Sequence, residues 1–238
     1  MGKRIIQQAR GKGGPRYRSP GHHYTSDVKY INSNLELKGR IVDLTHCAAH
    51  SSPIAKVKYE NNKEGYIFAP LGIYVGQDVY YNNKEIKPGN VISLKNIPEG
   101  TDIFNIECDP GDGGRLVRAA GTSAKLLNKL EKGILVKLPS KKQKIFHPEC
   151  KATIGILAGG GRKEKPILTA GHAFYAKKAR NKLYPRVRAG AMNATDHPFG
   201  SGRHGPKFGG RASSIAPKFA PPGRKVGLLR PRKTGRGK

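Results

Sequence analysis

Acidic residues almost vanish from the two ends of this chain. Residues 170–238 hold 17 Lys or Arg against one acid, Asp196, and residues 1–26 hold six basic residues and no acid. That scarcity excludes ends that neutralise themselves through internal ion pairs. Compaction would work against their own repulsion, whereas contact with a polyanion releases condensed counterions. RNA is the expected partner, and it should order the tail. Cysteine is sparse too: Cys47, Cys108 and Cys150 are too few and too scattered for a disulfide framework, so a reducing compartment is expected. His46, Cys47 and His50 with His147 and Cys150 have zinc-ligand chemistry, but the adjacent His46-Cys47 pair lacks the ligand spacing of structural zinc sites, and no metal site is expected. There is no run of about 18 apolar residues for a membrane-spanning helix and no apolar signal region after Met1-Gly2-Lys3-Arg4. A cytoplasmic protein without a membrane partner is expected.

What is present is unevenly distributed. The formal charge of +29 over 238 residues divides into +6 for residues 1–26, +7 for 27–169 and +16 for 170–238. A mildly basic globular middle therefore lies between two strongly basic arms. Residues 189–238 contain ten Gly and six Pro, a level at which a segment without a repeat period has too little apolar surface for its own core.

The middle reads as short strands between turns. Residues 37–44, 55–59, 65–69 and 79–81 form a first set, and a second set follows the Lys87-Pro88-Gly89-Asn90 turn at 91–94, 102–108, 115–118, 134–138 and 144–146. Residues 124–130 fit a helical turn or a strand, and their place in a strand-rich run favours the strand. The set closes near residues 152–157, before Gly159-Gly160-Gly161. Strand spacing of this kind without helical periodicity points to small barrels. In the tail, residues 170–180 form the one plausible helix, stopped by Pro185.

Several stretches resemble one family closely. They are YIFAPLG at 66–72, KPGN at 87–90 running to NIPEG at 96–100, PGDGGRLVRAAGT at 110–122, CKATIG at 150–155, and RAGAMN at 188–193 with DHP at 196–198. In that order, and over nearly the whole chain, they are similar to the universal second protein of the large ribosomal subunit. Phe199 and the closing APPGRKVGLL at 220–229 resemble its archaeal and eukaryotic cytosolic branch. Ala194 and Thr195 depart from the family's usual proline and aliphatic residue. The resemblance implies a mainly β fold: a basic N-terminal arm (1–34), an oligonucleotide-binding (OB-fold) barrel (35–84), an SH3-like barrel (85–169) and a basic C-terminal RNA-binding extension (170–238). It implies a structural constituent of the large subunit that binds large-subunit ribosomal RNA, stabilises the peptidyl-transferase region, and supports subunit association and transfer-RNA placement. Its partners would be that RNA, neighbouring ribosomal proteins, the small subunit at the shared face and, indirectly, transfer RNA. No intrinsic cofactor is implied, and Mg2+ would enter only through bound RNA.

The glycines of 110–115 would let backbone approach a sugar-phosphate chain, with Arg115 and Arg118 following; the plain alternative is a turn between strands. Gly159-Gly160-Gly161 suits a hinge. Arg16, Arg18, Arg186, Arg188, Arg203, Arg211, Arg224, Lys225 and Arg230 are expected phosphate and groove contacts, together with Asn193 and His197. Tyr17, Tyr24, Phe174, Tyr175, Tyr184, Phe199, Phe208 and Phe219 lie among these cations, where a ring can stack on an unpaired base or pack on a barrel. Asp196 and His197 are the one carboxylate-histidine pair in the tail, and the resemblance places them in support of the peptidyl-transferase region. Neighbours in an extended chain point opposite ways, and no nucleophile accompanies them, so an enzyme is not expected. The rivals are a His197-centred hydrolase or transferase and a free-standing RNA chaperone or translation regulator.

Overall fold

The structure, a computed structural model, describes residues 3–31, 36–83, 85–197 and 199–200. Its polypeptide forms two compact units, one built from residues 21–167 and one that joins residues 3–20 to residues 168–200.

The larger unit is mainly β. Its strands are β1 (Leu37–Thr45), β2 (Ile54–Tyr59), β3 (Glu64–Phe68), β4 (Asp78–Tyr81), β5 (Val91–Ser93), β6 (Asp102–Phe104), β7 (Ala124–Leu130), β8 (Gly133–Lys137), β9 (Gln143–Phe146) and β10 (Lys151–Ile154). They form one sheet in the order β3-β2-β1-β4-β5-β10-β6-β7-β8-β9. Neighbours pair antiparallel, except that β4 meets β5 in parallel at Tyr81 and Val91. The first core packs Ile41, Val57, Ile67, Val79 and Tyr81 inside β1–β4, and the second packs Ile92, Ile103, Leu126, Val136 and Phe146 inside β5–β10. These are the OB-type and SH3-like barrels of the expected mainly β fold. A third cluster of Val28, Cys47, Ile54, Phe68, Phe104 and Leu157 draws on both, so the barrels share buried surface.

Alternation explains most strand positions. In β2, Ala55, Val57 and Tyr59 are buried on the core face while Lys58 between the last two is exposed, the period-2 pattern of a strand, and Ile54 on the opposite face enters a different cluster. The register is locked where β1 crosses β2: a Cβ on Gly39 would lie 2.5 Å from Val57 Cγ1 and 2.8 Å from Tyr59 Cδ1. Only glycine lets the two strands close over those side chains. Residues 124–130 are a strand, bulged against β8 between Leu126 and Asn128.

Two expected strands are shorter or absent. β6 stops at Phe104 because Asn105 takes φ 48°, and residues 115–118 reduce to an isolated bridge between Leu116 and Ile106. Val117 has φ 56°, a left-handed conformation that breaks a ladder and that a β-branched residue adopts only under strong constraint. Gly159-Gly160-Gly161 is a close crossing of two backbones: a Cβ on Gly121 would come within 2.5 Å of Gly160 Cα.

Residues 21–31, expected in the N-terminal arm, pack with the barrels. Val28 enters the shared core, and Tyr30 enters the first core while its hydroxyl donates to the Asn105 carbonyl at 2.6 Å. Residues 3–20 of that arm belong to the second unit, where α1 (Ile6–Gly11) and α2 (Ala170–Lys178) are the α-helices among the described residues. In α1 the Ile5 N–H donates to Gln8 Oε1, which satisfies one of the open donors of the first turn. Thr169 caps α2 by accepting from the His172 N–H. Asn181, at φ 48°, ends that helix, with Lys182 N–H donating to the Lys177 carbonyl and Asn181 N–H to the Lys178 carbonyl. This left-handed cap stops the helix four residues ahead of Pro185. The Asn181 amide also donates to the carbonyls of Pro15 and Arg18, at 3.2 and 3.0 Å.

Candidate nucleic-acid interface

Electrostatics single out the second unit. Its described part, residues 3–20 and 168–200, carries 12 Lys or Arg and one acid, Asp196. Arg16, Arg18, Arg186, Arg188 and Asn193 are exposed. Asp196 is half-exposed and faces Lys3 Nζ at 3.5 Å, which leaves almost the whole cationic surface without an internal counter-charge. Arg10, Arg186 and Arg188 rim a groove of about 710 Å³ whose apolar lining includes Ile5, Val187 and Met192. Arg203, Arg211, Arg224, Lys225 and Arg230, with Phe208 and Phe219, lie outside the described residues, as does Pro198.

His197 and Asp196 are neighbours in sequence without being partners. The chain turns at Asn193, whose carbonyl accepts from the N–H groups of Asp196 and His197. His197 is buried with Phe199, their rings edge to face at 5.2 Å, and its Nδ1 accepts from the Phe199 N–H at 3.1 Å. That bond fixes the neutral ring with its proton on Nε2. Burial lowers the pKa of His197 below the ordinary histidine value of 6.5. The sign follows directly: an unfolded segment takes up a proton first as pH falls, so stability that is present above about 6.5 is lost as pH falls from there through the lower folded value. The protection factor of the Phe199 amide should therefore drop below about pH 6.5, and His197→Gln should flatten that dependence. Hydrogen exchange followed by NMR decides it, and a pH-independent protection factor in the wild-type chain would remove the titration.

The glycine loop of the barrel unit is built differently from a phosphate cradle. Gly111, Gly113 and Gly114 have φ between 83° and 86°, and their N–H groups point inward. Glu107, 1% exposed, accepts from Gly111 at 3.3 Å, Gly113 at 3.1 Å and the Lys151 N–H at 2.9 Å. Asp112 accepts from Cys108, Asp109 and Gly114. The chain's own carboxylates thus occupy the concavity of oriented amides that elsewhere binds anions. A Cβ on Gly114 would fall 2.5 Å from Asn105 Oδ1, so this loop needs glycine for packing as well as for φ. Neither Glu107 nor Asp112 is conspicuous in the sequence; the only signal there is a pair of acids among glycines in a basic protein.

The two arginines after this loop diverge. Arg115 is exposed, with Nε 3.5 Å from Asp112. Arg118 turns inward: it donates to the carbonyls of Gly114 at 3.1 Å and Val28 at 2.8 Å and lies 4.8 Å over the Phe68 ring. Burial lowers its pKa, and its structural part is to clamp residue 28 to the loop. Cys47 and Cys150 sit in separate apolar clusters. Phe174 and Tyr175, on α2, are 43% and 69% exposed.

Comparison with known proteins converges on one family. Residues 87–221 match the family described as Ribosomal Proteins L2, C-terminal domain. The chain is 47% identical to the large ribosomal subunit protein uL2 of Archaeoglobus fulgidus over 237 residues, which cover 99% of both chains. It is 48% identical to the same protein of Methanocaldococcus jannaschii over 241 residues and 45% identical to that of Methanothermobacter thermautotrophicus over 242, again with 99% of each chain covered. With full-length identity at this level and the two-barrel fold, the chain belongs to the large ribosomal subunit protein uL2 family, in its archaeal branch.

Proposed function

We propose that the chain is a structural, non-enzymatic constituent of the large ribosomal subunit that binds large-subunit ribosomal RNA in the cytoplasm. The observation that carries the reading is the cationic unit made by the two ends of the chain, with 12 described Lys or Arg against Asp196 alone. Such a surface gains most from phosphate, because each neutralised phosphate releases condensed counterions. Exposed Arg16, Arg18, Arg115, Arg186 and Arg188, with Asn193, are assigned to the sugar-phosphate backbone, and so are Arg203, Arg211, Arg224, Lys225 and Arg230. Arg118 acts indirectly by holding the glycine loop. Asp196 and His197 support the peptidyl-transferase region by shaping the turn at 193–197; neighbouring ribosomal proteins, the small subunit and transfer RNA are met from that position. Mg2+ enters only with the RNA.

A tagged chain expressed in its own cells should sediment with the large subunit and, mixed with naked ribosomal RNA, should protect a localised set of nucleotides. A diffuse footprint with the tag at the top of the gradient would instead support a free-standing RNA chaperone or translation regulator.

A further inference from the structure

Beside the cap of α2 the cationic unit contains a second, smaller concavity, about 240 Å³ in volume. Three aromatic residues line it, Tyr17, Phe174 and Tyr184, together with the cations Arg16, Lys178 and Lys182. The Asn181 bonds to Pro15 and Arg18 hold the two chain segments that make its walls. We propose that this slot binds one unpaired nucleobase of a single-stranded RNA segment, with the ring stacked on aromatic faces and the flanking phosphates on Arg16, Lys178 and Lys182. The inference rests on the RNA-binding reading above and adds a discrete site for a base to a surface otherwise described by its charge.

Size, chemistry and charge agree on this occupant. A concavity that admits one ring system, with aromatic walls and cations at the same place, matches the pairing of base stacking and phosphate neutralisation by which proteins hold single-stranded nucleic acid. An acidic peptide would use the cations and leave the aromatic walls to apolar side chains, but it gains nothing specific from three aromatic faces. The residues that line the slot include no acid, and stacking is tolerant of base identity, so it should accept any of the four bases.

Binding of the full chain to a single-stranded decaribonucleotide is compared with binding to the same sugar-phosphate chain lacking bases. Phe174 is partly exposed and carries no core packing, so Phe174→Leu keeps the fold while removing the aromatic face. The wild-type preference for the base-containing strand should fall about tenfold in Phe174→Leu, towards the lower part of the range for one stacked base. Phe174→Trp should retain it. Tyr175→Leu, which removes an adjacent and more exposed ring outside the slot, should leave the preference within about twofold. Equal loss in Tyr175→Leu, or an unchanged preference in Phe174→Leu, overturns the slot. A preference that emerges only after residues 201–238 are removed overturns it as well, since the chain's own tail would then be the occupant. Salt-sensitive binding of both strands with no preference would leave the RNA-binding reading standing without the slot, whereas binding of neither strand would remove that reading itself.

Discussion

Glu107→Ala should lower the stability of the full chain by about 3–5 kcal/mol, a large part of the roughly 5–15 kcal/mol that holds a typical domain. The side chain is buried, and its two oxygens satisfy three backbone N–H groups from Gly111, Gly113 and Lys151. Alanine leaves those donors facing a void, and each buried, unsatisfied donor costs about 1–3 kcal/mol unless water reaches it. Two of the three bonds are only partly buried, which places the expectation below the simple sum. Glu107→Gln keeps the shape but turns one acceptor into an N–H donor opposite other donors, and should cost about 2–3 kcal/mol. The urea midpoint of each variant, at unchanged dependence on denaturant, measures the effect. A midpoint within error of wild type for alanine would show that the glycine loop is held by something other than this carboxylate.

Ending the chain at Gly200 should give the largest change in RNA binding. The deletion removes 11 of the 45 Lys and Arg residues and no acid. If about half of them neutralise one phosphate each, the slope of log affinity against log salt becomes shallower by about 4, at roughly 0.7–0.9 per phosphate. Each unit of slope is a factor of about four between 50 and 200 mM salt, so over that interval the truncated chain should lose about 200-fold less affinity than the full chain does. Its absolute affinity at the lower salt should be correspondingly weaker. Filter binding to a large-subunit RNA fragment across that salt range makes the comparison. Parallel slopes would assign the phosphate contacts to the described arginines and leave the tail outside the interface.

The barrels are legible in the sequence because period-2 burial is a local signal. Residues 55–59 alternate, and residues 124–130 can be placed as a strand from their surroundings alone. What escapes a sequence reading is set by single backbone angles or by distant partners. Val117 carries every sequence mark of a strand residue, yet its left-handed backbone lets Arg118 turn onto Phe68. The glycines of 110–115 read as an open cradle because nothing local tells that Glu107 points back into them. α1 is a six-residue helix, too short for periodicity, with Gln8 three residues after Ile5 as its only mark. The pairing of residues 3–20 with residues 168–197 has no local signature, since both segments read simply as basic.

That pairing has a consequence for the order in which the molecule can be made. The Lys3 N–H donates to the Thr195 carbonyl at 2.7 Å, so the first segment to leave a ribosome's exit must wait for one of the last. At about 5–20 residues per second the interval is roughly 10–40 s. Strand β10 imposes a shorter delay of the same kind, because it lies between β5 and β6 and joins them only once residues 151–154 have emerged. During synthesis the N-terminal cations are thus without their folded partner for nearly the whole life of the nascent chain. The segment they wait for brings a single carboxylate, Asp196, so folding leaves these charges to be neutralised from outside the chain, before the protein has its final shape as well as after.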